Sequence, residues 1–238
     1  MKKIQLILSA ALLLSLPSCR FIKVNNSLLE GWGGEKTVIV ASDTMASKDT
    51  TVGEFNSLDC NVACNIVYTS GDCAVSLTAP DNVIGYISIE NKNGELVVKK
   101  DSKVSFNKLH KVSLKVACPE LQAVKLNGAA EFSAPTGISA PEFSIDTNGA
   151  VDMEINGLKT GNARITANGS ADIEVNGLDC SFIRMVVNGA GDIVLTGRAD
   201  KAEAEINGAG DVDATGLDCQ DFSAQTHGIG KVKEPKQR

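Results

Sequence analysis

Two columns of carboxylates run through the second half of the chain. Four residues after successive Asn-Gly asparagines stand Glu131, Asp152, Asp172, Asp192 and Asp211, and two further on stand Ser133, Glu154, Glu174, Val194 and Asp213. Side chains of this type at this spacing suit three kinds of chemistry. Two carboxylates in unlike environments can hydrolyse glycosides, one as acid and the other as base or nucleophile. Several converging oxygens can hold a hard cation such as Ca2+. An evenly charged, solvated row can instead serve turn hydrogen bonds or meet a partner.

The even recurrence argues against the first of these. Catalysis needs one differentiated cluster, whereas these acids return on every repeat. Only two histidines exist, His110 and His227, and His227 fills an Asn position of the repeat, which gives it a corner hydrogen-bonding role. No Ser-His-Asp order, phosphate loop or zinc spacing is present. Seven cysteines are distributed without metal-site spacing. Cys60 and Cys64, read as one extended run, would lie ~13 Å apart at ~3.3 Å per residue and could not bond. Cys180 and Cys219 take equivalent places two repeats apart, ~9.6 Å if the repeats stack at the strand spacing, which leaves them as thiols unless Cys118 or another distant thiol reaches one of them. Cys64 reads as a small core residue.

The elements that carry the acids follow from a repeat over 121–233. Asn-Gly recurs at Asn127, Asn148, Asn168, Asn188 and Asn207, with His227-Gly228 in the sixth place. A second glycine follows each, at Gly137, Gly157, Gly177, Gly197 and Gly216. Between these turn signals apolar residues alternate, as in Phe143, Ile145 and in Met153, Ile155. Period two means strands with one buried face, so both acidic columns point outward. Asn-Gly between alternating runs also signals a hairpin, which makes an antiparallel meander the rival architecture. The same residue types return every twenty positions rather than in mirror order, and the glycine intervals alternate near 8 and near 12. Both features favour an all-β chain wound as a parallel β-helix (a β-solenoid) of about 20 residues per coil. Asn and Gly suit the corner because both tolerate positive φ, and stacked Asn amides can bond from coil to coil. The shortened step before Asn207 is expected to fall in "GRADKAEAE". Stacking sets like charges about 5 Å apart, which costs ~0.8 kcal/mol per pair in bulk water.

The remaining organisation divides into four parts. Residues 1–18, "MKKIQLILSAALLLSLPS", read as a lipoprotein signal peptide, and the following Cys19 resembles the lipid-modified cysteine of a bacterial lipobox. Residues 19–51 read as a polar tether in which Trp32 is a local packing anchor. Residues 52–120 read as β-structure continuous with the repeats, with one helical turn in "PDNVIGYISIE". Residues 234–238 form a tail, with Lys231, Lys233 and Pro235 protecting the last strand edge. The whole chain carries a net charge of −6, and without Lys2 and Lys3 it falls to −8. That balance disfavours nucleic acid and direct docking on anionic lipid.

The run "FNSLDCNVACNIVYTSGDCAVSLTAPDNVIGYISIENKNGELVVKK", followed by the Asn-Gly repeats, resembles the putative auto-transporter adhesin, head GIN domain family. The resemblance spans about residues 52–233. It implies a bacterial cell-envelope protein, often a lipoprotein, with a right-handed single-stranded β-helix and no catalytic residues to transfer. The expectation is therefore an outer-membrane lipoprotein, anchored to the membrane at Cys19. Its solenoid face of Asp152, Glu154, Asp172, Glu174, Asp192, Asp211 and Asp213 would meet a glycan or protein. No cofactor is expected beyond a Ca2+ ion bridging that face. A polysaccharide-acting enzyme and a purely structural envelope protein are the alternatives.

Overall fold

The computed structural model describes residues 36–107 and 112–235. Cys19 with its signal segment, Trp32 and His110 lie outside the described residues. Within them the fold is all-β, relieved by one 3-10 turn at Ile84–Tyr86 inside the stretch expected to hold a helical turn.

The first half supplies β1 (Thr37–Val40), β2 (Met45–Thr50), β3 (Ser57–Asn61), β4 (Cys64–Ser70), β5 (Ala74–Pro80), β6 (Ile87–Lys92), β7 (Glu95–Lys100), β8 (Val104–Asn107) and β9 (Ser113–Cys118). Here antiparallel and parallel pairing mix. β5 lies antiparallel between β2 and β9, and β6 antiparallel to β7. β1 pairs in parallel with β8 as a separate two-stranded sheet. Residues 37–40 and 45–50, read from composition as part of a tether, are thus paired strands. The short alternation of "TVIV" is offset by exposed polar neighbours, and Val38 remains 63% exposed, so hydropathy gives no sign of pairing.

The second half is built from β10 (Ala123–Ala134), β11 (Ile138–Ser139), β12 (Glu142–Val187), β13 (Ile193–Ile206), β14 (Val212–Asp218), β15 (Asp221–Thr226) and β16 (Val232–Lys233). Every pairing among these elements is parallel. β10 matches β12 without a break from Ala123↔Ser144 to Ala134↔Ile155, so Asn127 sits against Asn148 and Glu131 against Asp152. The rival meander is therefore overturned: each Asn-Gly segment lies beside its predecessor in the same direction. The shortened step is not in "GRADKAEAE" but just before it. The register shifts between Val175 and Leu178, where Thr196 alone faces Asn176-Gly177. The Thr196 hydroxyl fills the gap, accepting from the Gly177 N–H at 3.2 Å and donating to Asn176 Oδ1 at 3.4 Å.

Period-two alternation produces the core. Phe132, Met153, Ile173, Ile193 and Val212 are buried between their exposed or half-exposed neighbours. Each such side chain contributes roughly 1.5–3 kcal/mol by leaving water. At the corners the backbones approach closely. A Cβ on Gly169 (φ +110°) would stand 3.0 Å from the Gly149 nitrogen and closer still to its carbonyl oxygen.

The stack begins earlier than the Asn-Gly signal suggests. β3 and β4 both pair with β10, through Leu126↔Cys60 and Ala130↔Cys64. Residues 61–63 are therefore a corner beside 127–129, and "CNVAC" matches "LNGAA" position for position. This corrects the expectation for Cys60 and Cys64. They are not on one extended run: the chain turns between β3 and β4, and the two Sγ atoms come to 3.5 Å. β5 to β9 are an insertion between this first corner and β10.

Candidate functional site

The corners hold a ladder of side-chain amides. Asn127 Nδ2 donates to Asp59 Oδ1 and to Asn61 Oδ1, both at 3.0 Å. Asn148 donates to Asn127 at 3.1 Å, Asn168 to Asn148 at 3.2 Å, Asn188 to Asn168 at 2.8 Å and Asn207 to Asn188 at 3.0 Å. Because a carboxylate only accepts, Asp59 fixes the direction of every amide above it, and aligned hydrogen bonds polarise one another. His227 takes the next register position, since β13 pairs with β15 up to Ile206↔Thr226. It is exposed and, among the described residues, makes no side-chain hydrogen bond to Asn207, so the relay ends one position earlier. Its backbone N–H does continue the stack, donating to Ile206 at 2.7 Å.

A second, shorter ladder runs along the next bend. Asn176 Nδ2 donates to Asn156 Oδ1 at 3.3 Å, and Thr196 closes on Asn176. Each asparagine also donates to the acid two residues before it, Asn156 to Glu154 at 2.8 Å and Asn176 to Glu174 at 2.9 Å. Sequence reasoning misses this ladder. The signal is there in "INGLK" and "VNGLD", but the same dipeptide also marks the other corner and is absorbed by it.

The first acidic column has a structural use that sequence could not display. Asp172 Oδ1 accepts the backbone N–H of Asp192 at 3.3 Å, and Asp192 Oδ1 accepts that of Asp211 at 2.8 Å. Asp211 Oδ1 in turn accepts the Lys231 N–H at 2.7 Å. Each carboxylate thus caps the segment that follows it, and donated N–H dipoles offset the repulsion along the column. Charge-assisted bonds of this kind contribute ~1.5–3 kcal/mol when shielded and less at an exposed position.

The second column is more open. Ser133 faces Glu154, Glu174 faces Val194, and Val194 faces Asp213. Asp213 is the most engaged acid. It accepts Lys233 Nζ at 2.8 Å, the Thr215 hydroxyl at 2.6 Å and the Thr215 N–H at 3.0 Å. The Lys233 hydrogen bond, followed by those from Thr215, holds its pKa down at about 2.

Glu131, Asp152, Glu154, Asp172, Glu174 and Asp192 line a shallow groove of about 440 Å³. Among the described residues no three His, Cys, Asp or Glu side chains converge to hold a metal ion. What the groove offers is a row of acceptor oxygens. That arrangement can receive hydroxyl or ammonium donors along its length, but it contains no pair of acids set apart from the rest. A second groove of about 500 Å³ lies near the later bend and mixes signs, with Lys159 and Arg198 beside Asp179 and Asp200. Arg184 bridges Glu203 at 3.0 Å and Glu205 at 2.7 Å and ties neighbouring strands together.

Cys73, Cys118, Cys180 and Cys219 are free thiols. Cys180 pairs with Ala199, and Arg198 with Asp218, so Cys180 and Cys219 stand two strands apart and both are free. Burial pushes the Cys180 thiol up to about 11.

A family model described as "Putative auto-transporter adhesin, head GIN domain" matches residues 54–233. No curated protein matches the chain. Among solved structures, a putative adhesin from Parabacteroides distasonis is 24% identical with a TM-score of 0.75, covering 82% of this chain and 84% of that one. A putative adhesin from Bacteroides fragilis is 19% identical with a TM-score of 0.67, covering 82% and 99%. A putative lipid binding protein from Parabacteroides distasonis is 16% identical with a TM-score of 0.57, covering 83% and 100%. At these identities the likeness is one of fold. Neither the family nor these neighbours is described as an enzyme.

Proposed function

Because the chain belongs to the putative auto-transporter adhesin, head GIN domain family, we propose that it is a binding scaffold of the cell envelope. In this reading Cys19 carries a lipid that anchors the chain to the outer membrane. The stacked strands form a right-handed, single-stranded β-helix of about 20 residues per coil. Right-handedness follows from the strong preference of parallel β crossovers for that hand.

The groove of Glu131, Asp152, Glu154, Asp172, Glu174 and Asp192 is the face that receives a glycan or protein partner. The observation that carries the reading is the evenness of that face. Asp172 and Asp192 each accept a backbone N–H of the next segment, and Glu154 and Glu174 each accept an asparagine amide, on a backbone locked in parallel register. Such a surface is preorganised over its whole length, which lowers the ordering cost of binding an extended partner. A polysaccharide-cleaving site would need one differentiated pair of acids, whereas the acids here recur from strand to strand.

The test is to pass the purified chain over a panel of glycans and extracellular proteins while the supernatant is analysed for released oligosaccharide. Saturable retention without product supports the scaffold. Oligosaccharide release that is lost in Asp172→Asn would replace it with an enzyme, and neither signal would leave a purely structural envelope role.

A further inference from the structure

We propose that Cys60 and Cys64 are an oxidisable pair whose disulfide staples the first corner of the stack. Their Sγ atoms lie 3.5 Å apart, about 1.5 Å more than an S–S bond, a gap that side-chain rotation can close. Both are buried, at 1% and 6% exposure, so no other thiol or solvent molecule competes for either sulfur in the folded chain.

The other corners show why the pair is brought together. Residues immediately before and three after the corner asparagine are buried or half-buried at the next three corners: Leu126 and Ala130, Thr147 and Val151, Ala167 and Ala171. Between successive corners the same two positions also approach, an added Cβ on Gly210 lying 2.9 Å from Cγ1 of Val187 one repeat earlier. Only the first corner places cysteine at both positions. It also differs in its dipeptide, with Asn61-Val62 where the later ones have glycine after Asn or His, and in having the long β5–β9 insertion on its far side. A covalent staple there would hold β3 and β4 at the angle that β10 requires.

The chemistry balances with an organic disulfide as oxidant. Either sulfur can donate to the other in the folded pair, so either can attack first, and the steps balance alike with Cys60 leading. The Cys60 thiolate displaces one sulfur of the oxidant and forms a mixed disulfide. The displaced thiolate takes the Cys64 proton, Cys64 then attacks Cys60 Sγ, and the second oxidant sulfur departs. The protein loses two electrons and two protons, and the oxidant becomes a pair of thiols. Since the folded pair is buried, this exchange belongs to the folding chain or to transient opening of residues 61–63. Only the supply of oxidant rests on the envelope reading; the geometry stands without it.

The experiment refolds the full chain in glutathione redox buffer, quenches it with acid and alkylates it after denaturation. The expected product has lost two hydrogens, and fragmentation places the link between Cys60 and Cys64. Reductant then lowers the Tm by ~4–8 °C, the scale of closing a short loop in a chain of this size. The double variant Cys60→Val, Cys64→Ala, which takes its small apolar side chains from the residue types found at other corners, folds and melts at one temperature with or without reductant. Full alkylation of both thiols after refolding, or a link to any other cysteine, overturns the proposal. A pair that oxidises in the buffer but is fully reduced in chains recovered from cells leaves the pair intact and contradicts the envelope location instead.

Discussion

Replacing Gly189 by alanine isolates the cost of stacking corners on one another. The φ of Gly189 is not in the left-handed region, so alanine meets no conformational penalty there. Its Cβ, however, would stand 2.8 Å from the Gly169 nitrogen, 2.9 Å from its carbonyl carbon and nearer still to its oxygen. That oxygen accepts the Ala190 N–H at 2.8 Å, and the Gly189 oxygen accepts from Ala209 at the same distance. Relieving the clash requires a displacement on the order of 1 Å, enough to break the first of these bonds and stretch the second or the adjoining Asn188–Asn168 bond. Two or three hydrogen bonds at ~0.5–1.5 kcal/mol each, with residual strain, give a loss of about 2–4 kcal/mol. For a chain of this size that lowers the Tm by about 4–16 °C. Thermal melts followed by circular dichroism measure it, and hydrogen exchange at the Ala190 and Ala209 amides localises it. Gly85→Ala is the control, because no atom lies within 4 Å of the place its Cβ would take. A Gly189→Ala chain melting within about 1 °C of wild type would refute the reasoning, since corners able to absorb a methyl would not be in contact.

Other perturbations follow from the same contacts. Thr147 is fully buried and its hydroxyl has no hydrogen-bond partner, so Thr147→Val should stabilise the chain by about 1 kcal/mol in denaturant titration. Asn168→Asp can still accept from Asn188 but cannot donate to Asn148, and above the carboxylate pKa it should cost ~1–2 kcal/mol, an effect visible as a lower midpoint at neutral pH than at acid pH. Asp213 has a lowered pKa, so its contribution is present above its unfolded value near 3.8 and is lost as pH falls through about 2. With Lys233 58% exposed, solvent screening reduces that contribution to about 0.5–1 kcal/mol, and Asp213→Asn should remove this part of the pH dependence in melts between those values. Calcium and chelator should leave the Tm unchanged, because the Asp172, Asp192 and Asp211 carboxylates already accept backbone N–H groups; a rise of several degrees with calcium would contradict this assignment.

The parts of the fold that repeat are legible in the sequence, and the parts that occur once are not. Asn127, Asn148, Asn168, Asn188 and Asn207 announce their register because each neighbour repeats the same residue at nearly the same step. Asn61 joins the same ladder but stands 66 residues from Asn127, with an insertion between them and valine in place of the turn glycine. Without the period, Cys60 to Cys64 read as a straight strand, and the distance between the thiols comes out several times too long. The acidic columns are legible as outward-facing from alternation alone. Their partners are not, because the group that binds each Asp carboxylate is a backbone N–H, which every residue but proline carries. For the same reason β1 and β2 are hidden: their pairing with β8 and β5 depends on main-chain groups brought from distant segments.

The most direct measurement compares faces of the same folded molecule. Asp152→Asn, Asp172→Asn and Glu174→Gln together keep an acceptor oxygen at each position and remove three charges from the proposed binding groove. Asp179→Asn with Asp200→Asn removes charge from the mixed groove near the later bend. With equal melting temperatures established, retention of each variant on the glycan or protein that holds the wild-type chain is quantified. Loss of retention in the first variant alone is the predicted result. Equal retention by the first variant and the wild type would contradict the assignment of this face to binding.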